Sequence, residues 1–517
     1  MDVFLQSMGR TIDEFHLVDY SIGASKQQIH DRDFYQEQNY VVSSSDLRSC
    51  TALNSMQNQA FKCVMQTIDG TGPAAFFVDG PAGSGKTFLY RALLAAVRSK
   101  HLIALAVASS EVAASLLPGG RTAHSRFKLP VIVEDEICTI SKQSVHARLI
   151  VAAKLIIWDE ASMARRRSVE ALDTLLRDLM ESAVSFGGKT IILGADFRQT
   201  IPIILGGTRE DAIDACLINS PLWPPMHKIR LTQNMRAKDD PAFRKFLLEN
   251  GNGTEPCNQH DEIILPTDTC LPYKYNDAPL ADLLFHIFPD FTTYPLNPHM
   301  LIDRAILTPK NDCVDDINDL LINKFPGSAV DYYSTDLAND PFQQSYYQDY
   351  LNSIHTPSLP SHLLRLKTNC PIMLLRNINP SEGLCNGTRL ICRQLGANVI
   401  SAEIVTGQFA GNSVFIPRIP LEPSDKQRCP IPFKRHQFPV RLCFAMTFNK
   451  SQGQTLDRVG LYLPEPVFSH GQLYVALSRA RKADHIKILI RPPTIDVIAN
   501  NITKNIVYRE IINAAVL

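Results

Sequence analysis

The segment Gly80-Pro-Ala-Gly-Ser-Gly-Lys-Thr87 constrains this chain more than any other. It fits the pattern G-x-x-x-x-G-K-[ST] and lies between an apolar run, Ala74 to Asp79, and a helical pattern, Phe88 to Val97. Glycines let the backbone curl until successive N–H groups converge, and a helix starting there adds the positive end of its dipole. Such a loop binds phosphate and needs a strand before it and a helix after it. Gly80, Gly83, Ser84 and Gly85 would wrap the phosphates, Lys86 would hold the β- and γ-phosphates, and the Thr87 hydroxyl would ligate Mg²⁺. The expected cofactors are ATP and Mg²⁺, and the frame has to be α/β.

Ile103 to Ala108, Lys154 to Asp159 and Lys189 to Gly194 repeat the pattern of a buried strand, turn residues and a helical segment. Together with Ala74 to Asp79 they predict one doubly wound domain to about residue 230. Arg165 to Glu181 reads as one amphipathic helix. A second series starts with a strand at Arg304 and a helix over Val314 to Phe325, and resumes at Arg441 to Phe448. It continues through a helix near Gln472 to Ala480 and a strand at Ile486 to Ile490. Between these, residues 368–440 carry short β-like runs with many Gly, Asn and Pro turns, which suggests a small barrel-like insert. Residues 1–50 are polar with little periodicity and read as a weakly ordered or peripheral arm.

Charge narrows the function class. Lys+Arg and Asp+Glu both number 52, so the chain does not bind a partner by bulk positive charge, although a local groove can still be basic. The apolar stretch Leu102 to Pro118 is interrupted by Ser109, Ser110, Glu111 and Ser115, so neither a membrane-spanning helix nor a membrane partner is expected. No secretory leader is visible in Met1 to Arg10. The 12 cysteines include no C-x-x-C pair, and Cys257, His260 and Cys270 are spaced too widely for a zinc knuckle, so reduced thiols of a nuclear or cytosolic protein are expected.

Leu155-Ile-Ile-Trp-Asp-Glu160 is an apolar strand ending in two carboxylates. Behind a phosphate loop, Asp159 would hold the magnesium and Glu160 would polarise the attacking water. A transferring phosphoryl group also needs positive charge brought in when a cleft closes, and Arg236 and Arg479 are the candidates.

In this order the residues resemble the Pif1/RecD-like family of superfamily 1B DNA helicases, in particular the branch encoded by or derived from helitron transposons. The resemblance runs from about Leu53 to Ile490. Leu53 to Gln57 is similar to the adenine-reading Q motif, Gly80 to Thr87 to motif I and Asp159-Glu160 to motif II. Gly194 to Pro202 is similar to motif III, Leu231 to Arg236 to motif IV, Thr447 to Thr455 to motif V and Tyr474 to Arg479 to motif VI. Ala106 to Ala114 is similar to motif Ia, with Gly119 to Phe127 as a second single-strand contact. The resemblance implies two RecA-like P-loop NTPase domains. Domain 1A would span 51–230 with a small wedge insertion at about 128–150. Domain 2A would span 231–490 with an SH3-like β-barrel insertion at about 368–440, and a tail would follow at 491–517. It places Gln57 on the adenine, Gln199 as sensor of the γ-phosphate, Gly453 beside the nucleotide, and Arg236 and Arg479 on the γ-phosphate. It places Ser109, Ser110, Thr122, His124, Ser125, Lys450, Ser451, Gln452 and Thr455 on DNA.

The implied activity is ATP-dependent unwinding of duplex DNA with 5′–3′ movement on a single strand. Single-stranded and forked DNA are the implied partners, and protein partners stay unassigned. Roles in DNA repair, recombination and telomere maintenance follow from the family, as does a nuclear or additionally mitochondrial location. Two positions depart from the pattern. Glu111 replaces a glycine of motif Ia, adding a side chain to a tight turn and a negative charge near the strand path. Asn449 replaces a histidine common in the wider family and marks the helitron-like branch. Among the 14 histidines no two are spaced His-x-His, so the replication-initiator nuclease of helitron proteins is not expected. Glu111 and the missing nuclease motivate an alternative, a transposon-derived ATP- and DNA-binding protein that no longer unwinds; an RNA motor is a weaker third reading. Basic clusters at Lys434 to Arg441 and Ser478 to Lys482 are a candidate phosphate footprint.

Overall fold

Apolar runs rich in Ile, Leu, Val and Ala build the first sheet in the computed structural model, which describes residues 33–516 except 71–73, 131–137, 139, 205, 276–277, 292, 340–343, 357, 424–430 and 493–500. Its strands are β1 (Ala75–Asp79), β2 (Ala104–Ala108), β3 (Arg121–Thr122), β4 (Leu155–Asp159), β5 (Thr190–Ala195) and β6 (His227–Arg230), in the order β3-β2-β4-β5-β1-β6. Every pairing is parallel. β2, β4 and β5 are buried along their whole length, as strands covered on both faces must be. The helix Lys86–Arg98 covers one face with Leu89, Tyr90, Leu93, Leu94 and Val97. The expected amphipathic helix runs Arg166–Met180, buries Val169, Leu172, Leu175 and Leu176, and closes on Glu181 in the left-handed conformation. The phosphate loop and the segments after β2, β4, β5 and β6 therefore all leave the carboxyl ends of parallel strands, where an open α/β sheet places its ligand.

The second sheet contains β7 (Cys270–Leu271), β8 (Arg304–Thr308), β9 (Ala445–Thr447), β10 (Arg458–Leu463) and β11 (Ile486–Ile490), ordered β9-β8-β10-β11-β7 and again wholly parallel. Residues 371–442 include a five-stranded antiparallel sheet of Pro371–Leu374, Arg389–Leu395, Val399–Ile404, Ser413–Pro417 and Val440–Leu442. The run Arg441 to Phe448, expected as one strand, is divided between two sheets. Val440–Leu442 pairs with Pro371–Leu374, whereas Ala445–Thr447 joins β8. The break falls where Cys443 N–H donates to the Pro371 carbonyl.

Three peripheral expectations change. Residues 1–32 lie outside the described set, but 33–50 are docked by ion pairs. Asp33 grips Arg121 through both oxygens, at 2.7 and 2.8 Å, while buried Glu37 bridges Arg98 and Arg126. The wedge expected at 128–150 falls partly on 131–137 and 139, outside the described residues. From Val145 the chain is a helix, Val145–Ala152, with Leu149 and Ile150 fully buried, so that stretch belongs to the domain core. The tail turns back. Ile502–Lys504 pairs antiparallel with Glu262–Ile264 of the second domain, and the helix Arg509–Val516 packs Ile511, Ile512 and Ala515 into the first domain's core. No helix among the described residues is long and apolar enough to cross a membrane.

Candidate active site

The loop after β1 is shaped by positions only glycine fills. Gly85 sits at φ +80° and a Cβ there would lie 2.4 Å from Gln57 Nε2; at Gly83, φ +84°, it would lie 2.6 Å from the Arg236 Cβ. Lys86 Nζ donates to the Gly80 carbonyl within the loop. Across from it, the Thr87 hydroxyl stands 3.5 Å from Asp159 Oδ2. Burial, and then the Glu160 carboxylate beside it, push the Asp159 carboxyl up to about 7, against the pull of Lys86. A buried carboxylate and a hydroxyl at this separation form the hard-oxygen donor set that suits Mg²⁺. Glu160 takes the left-handed conformation, φ 52° and ψ 38°, which costs a non-glycine residue about 1–3 kcal/mol and persists where the surroundings impose it.

The opposite wall comes from the segment after β6 and from the second domain. Arg236 and Arg479 line, with Lys86, Asp159, Glu160 and Gln199, a cleft of about 710 Å³. Arg236 donates to the Ser478 carbonyl at 2.7 Å, and Arg479 donates to the carbonyls of Val475 and Gln454 at 2.8 and 2.9 Å. Burial, and then Arg479 beside it, pull Arg236 down to about 9; burial lowers Arg479 too. Two desolvated guanidiniums short of counter-charge make a seat for an anion. Gln199 donates to Asp196 at 3.4 Å, and its Oε1 is buried without a partner in the cleft wall, an acceptor open to a water or a protonated ligand.

Several expected residues take other places. Gln57 accepts from Asn54 N–H at 3.1 Å and donates to the Ser84 and Gly85 carbonyls at 3.3 and 3.4 Å, so both ends of its amide brace the phosphate loop instead of facing an adenine. Ser451 is fully buried and donates to the Phe448 carbonyl, which removes its side chain from the strand path. Gln452, also expected on DNA, is 2% exposed and donates to Glu160 Oε2 at 3.0 Å. Gly453 and Thr455 line the cleft. Ser110 caps the helix Glu111–Ser115, Thr122 caps Ala123–Phe127, and Ser109 accepts from Trp158 Nε1 at 2.9 Å. His124 and Ser125 are exposed, and Lys450 is half-buried. Of the basic cluster, Arg435 is fully buried against Asp336, Lys434 pairs with Glu422 and Arg441 with Asp315, so these cations are already engaged by carboxylates. Glu111 occupies the first turn of an ordinary helix, where a carboxylate is favoured, and accepts from Asn377 at 2.7 Å; no left-handed turn is crowded there.

Comparison with known proteins agrees with this geometry. Residues 52–261 match the family described as PIF1-like helicase, and 349–395 match the 2B domain of DNA helicase Pif1. The chain is 27% identical over 418 residues to ATP-dependent DNA helicase Pif1 of Bdellovibrio bacteriovorus, covering 80% of this chain and 83% of the relative. It is 26% identical over 443 residues to ATP-dependent DNA helicase PIF1 of Danio rerio, covering 82% of this chain and 60% of the relative. The chain is thus similar to PIF1-like helicases. It spans 60% of the zebrafish relative's length and 58% of the human one's. Its fold is that of Pif1 from Candida albicans, with TM-score 0.62, 22% identity and coverage of 89% of this chain and 97% of the other. It is also that of Bacteroides Pif1 bound to single-stranded DNA, with TM-score 0.61, 23% identity and coverage of 84% and 92%.

In this Pif1-like chain two further residues assemble the cleft. Asp196, fully buried after β5, accepts from Arg198, Gln199 and the Tyr474 hydroxyl, the last at 3.1 Å. The same Tyr474 oxygen accepts the N–H of Ala82 in the phosphate loop at 2.9 Å, so one hydroxyl from the second domain joins two loops of the first. A tyrosine opening the apolar run Tyr474-Val-Ala-Leu reads as core, and only the spatial approach of Asp196 exposes its second role. Tyr474→Phe keeps the ring and leaves a buried carboxylate one donor short. Steady-state ATP hydrolysis is expected to show kcat/KM about tenfold lower, and an unchanged value would refute the bridging role.

Proposed function

We propose that this chain is an ATP-dependent DNA helicase that moves 5′–3′ along single-stranded DNA and separates duplex DNA. The observation that carries the reading is the cleft in which Lys86, Asp159, Glu160 and Gln199 face Arg236 and Arg479. Its relatives support it: Bacteroides Pif1 binds single-stranded DNA, and two coordinating Pif1 helicases unwind forked duplex DNA. Thr87 and Asp159 would hold Mg²⁺, which when bound neutralises charge on the β- and γ-phosphates. Lys86 binds the phosphates, Glu160 takes the proton of the attacking water, and Gln199 orients that water through its open Oε1. Arg236 and Arg479 stabilise the charge that spreads over the transferring phosphoryl group. Closing and reopening of the cleft alternates the grip of the two domains on the strand, and steps follow. Single-stranded and forked DNA are the proposed substrates, in DNA repair, recombination and telomere maintenance, with the nucleus as the proposed site of action.

In domain terms, 51–230 is 1A and 231–490 is 2A, and the antiparallel sheet within 371–442 is the SH3-like insertion. Asn449 supports the helitron-derived branch. The inert alternative loses its motivation at Glu111, whose carboxylate the fold accommodates on Asn377.

Two measurements test the function. ATP hydrolysis is expected to rise severalfold with single-stranded DNA, more than with RNA of the same sequence. It should be abolished in Lys86→Ala and fall about 100-fold or more in Glu160→Gln; equal hydrolysis with and without DNA would sink the motor reading. Burial, and then Arg441, bring the Lys450 ammonium down to about 8. Only the protonated amine pairs with a phosphate, so oligonucleotide affinity at fixed ionic strength is expected to fall as pH rises through 8. In Lys450→Ala that slope should flatten; an equal slope in both proteins would remove Lys450 from the strand path.

A further inference from the structure

Gln452 occupies a place that strand binding alone does not explain. It follows the short helix Phe448–Ser451, in which Lys450 is half-buried, and its own side chain is 2% exposed between the two domains. Thr200, after β5, donates its hydroxyl to Gln452 Oε1 at 2.7 Å. The Glu160 carboxylate settles which end of the amide is which, because an ionised carboxylate only accepts and so selects the –NH₂, leaving the amide oxygen to the Thr200 hydroxyl. The –NH₂ donates to Glu160 Oε2 at 3.0 Å. Glu160 follows β4 of the first sheet and Gln452 follows β9 of the second, so this contact joins the two domains across the cleft. The left-handed backbone of Glu160 turns its carboxylate out of line with β4, and the Gln452 amide meets it there.

We infer that Gln452 is a positioning residue through which strand occupancy reaches the catalytic carboxylate. A DNA phosphate on Lys450 holds the Phe448–Ser451 turn in place, the turn holds Gln452, and Gln452 fixes one oxygen of Glu160 so that the other faces the attacking water. Thr200 is the second positioning residue, because its hydroxyl anchors the amide oxygen, and without it the amide is free to swing off the carboxylate. The consequence is hydrolysis that speeds up when the strand is bound, with no nucleotide contact from Gln452 itself. The inference rests on the DNA-motor reading above.

The test is steady-state ATP hydrolysis at saturating dT oligonucleotide, with oligonucleotide affinity measured in parallel, for wild type, Gln452→Glu, Gln452→Leu, Thr200→Val and Thr200→Ser. Gln452→Glu keeps the size and the acceptor but removes the donor. Loss of one hydrogen bond to a charged group predicts stimulated kcat about tenfold to a hundredfold lower in both Gln452 variants. KM for ATP and oligonucleotide affinity are expected to stay within about threefold, which also shows that the variants are folded. Thr200→Val is expected to fall about fivefold or more and Thr200→Ser to recover to within about twofold of wild type. Stimulated kcat near wild type in the Gln452 variants would overturn the inference, as would a loss of DNA affinity as large as the loss of kcat, which would make Gln452 a strand contact. Failure of Thr200→Ser to recover would overturn the part assigned to Thr200. A wild-type protein that DNA does not stimulate would overturn the motor reading itself, and this inference with it.

Discussion

Two carboxylates of the first domain, Asp196 and Glu160, are buried at the tips of parallel strands and receive hydrogen-bond donors from the second domain. Desolvating a carboxylate is costly unless donors replace its water, and the Tyr474 hydroxyl and the Gln452 amide are such donors. The closed cleft is thus the arrangement that satisfies these groups, and the same approach carries Arg479 to the wall facing Lys86 and Gln199. The groups proposed for catalysis and the contacts between the domains therefore share one set of hydrogen bonds, and in the proposed motor the chemistry depends on the domains meeting.

The C-terminal segment adds to these contacts between the domains. Buried His470 sits just before the helix that carries Tyr474. One ring nitrogen donates to the Phe197 carbonyl at 2.8 Å and the other accepts the Tyr508 N–H at 2.9 Å, with Tyr508 stacked on the imidazole at 5.1 Å. This requires the neutral ring, which burial favours by lowering its pKa. From Tyr508 the last helix returns to the first domain's core. The C-terminal segment therefore straps the loop after β5 to the start of the Tyr474 helix, beside the contacts that position the catalytic groups.

Much of this was legible in the residue order. The phosphate loop, the acidic tip of β4 and the strand–helix alternation are local patterns, and the ends of β1, β2, β4, β5 and β11 lie within a residue of the periodic runs, whereas the run Arg441 to Phe448 is split between two sheets. What escaped were partnerships between distant segments. Nothing in Thr447-Phe-Asn-Lys-Ser-Gln-Gly-Gln-Thr455 says which polar side chains face a strand and which face inward, so the resemblance puts Ser451 and Gln452 on DNA although both are buried. Arg435 reads as a surface cation until Asp336 is found against it. The arm at 33–50 shows no apolar period, and it docks through Phe34 against the core and through Asp33 and Glu37 meeting Arg121, Arg98 and Arg126, contacts that no periodicity reveals.

In the proposed motor, closure on ATP is converted into movement along one strand. Strand separation on duplexes carrying either a 5′ or a 3′ single-stranded tail tests it most directly. A 5′–3′ motor is expected to give ATP-dependent separation of the 5′-tailed duplex, little or none of the 3′-tailed one, and none of either with Lys86→Ala. Binding to the tailed duplexes with no separation of either one by the wild-type protein would contradict it.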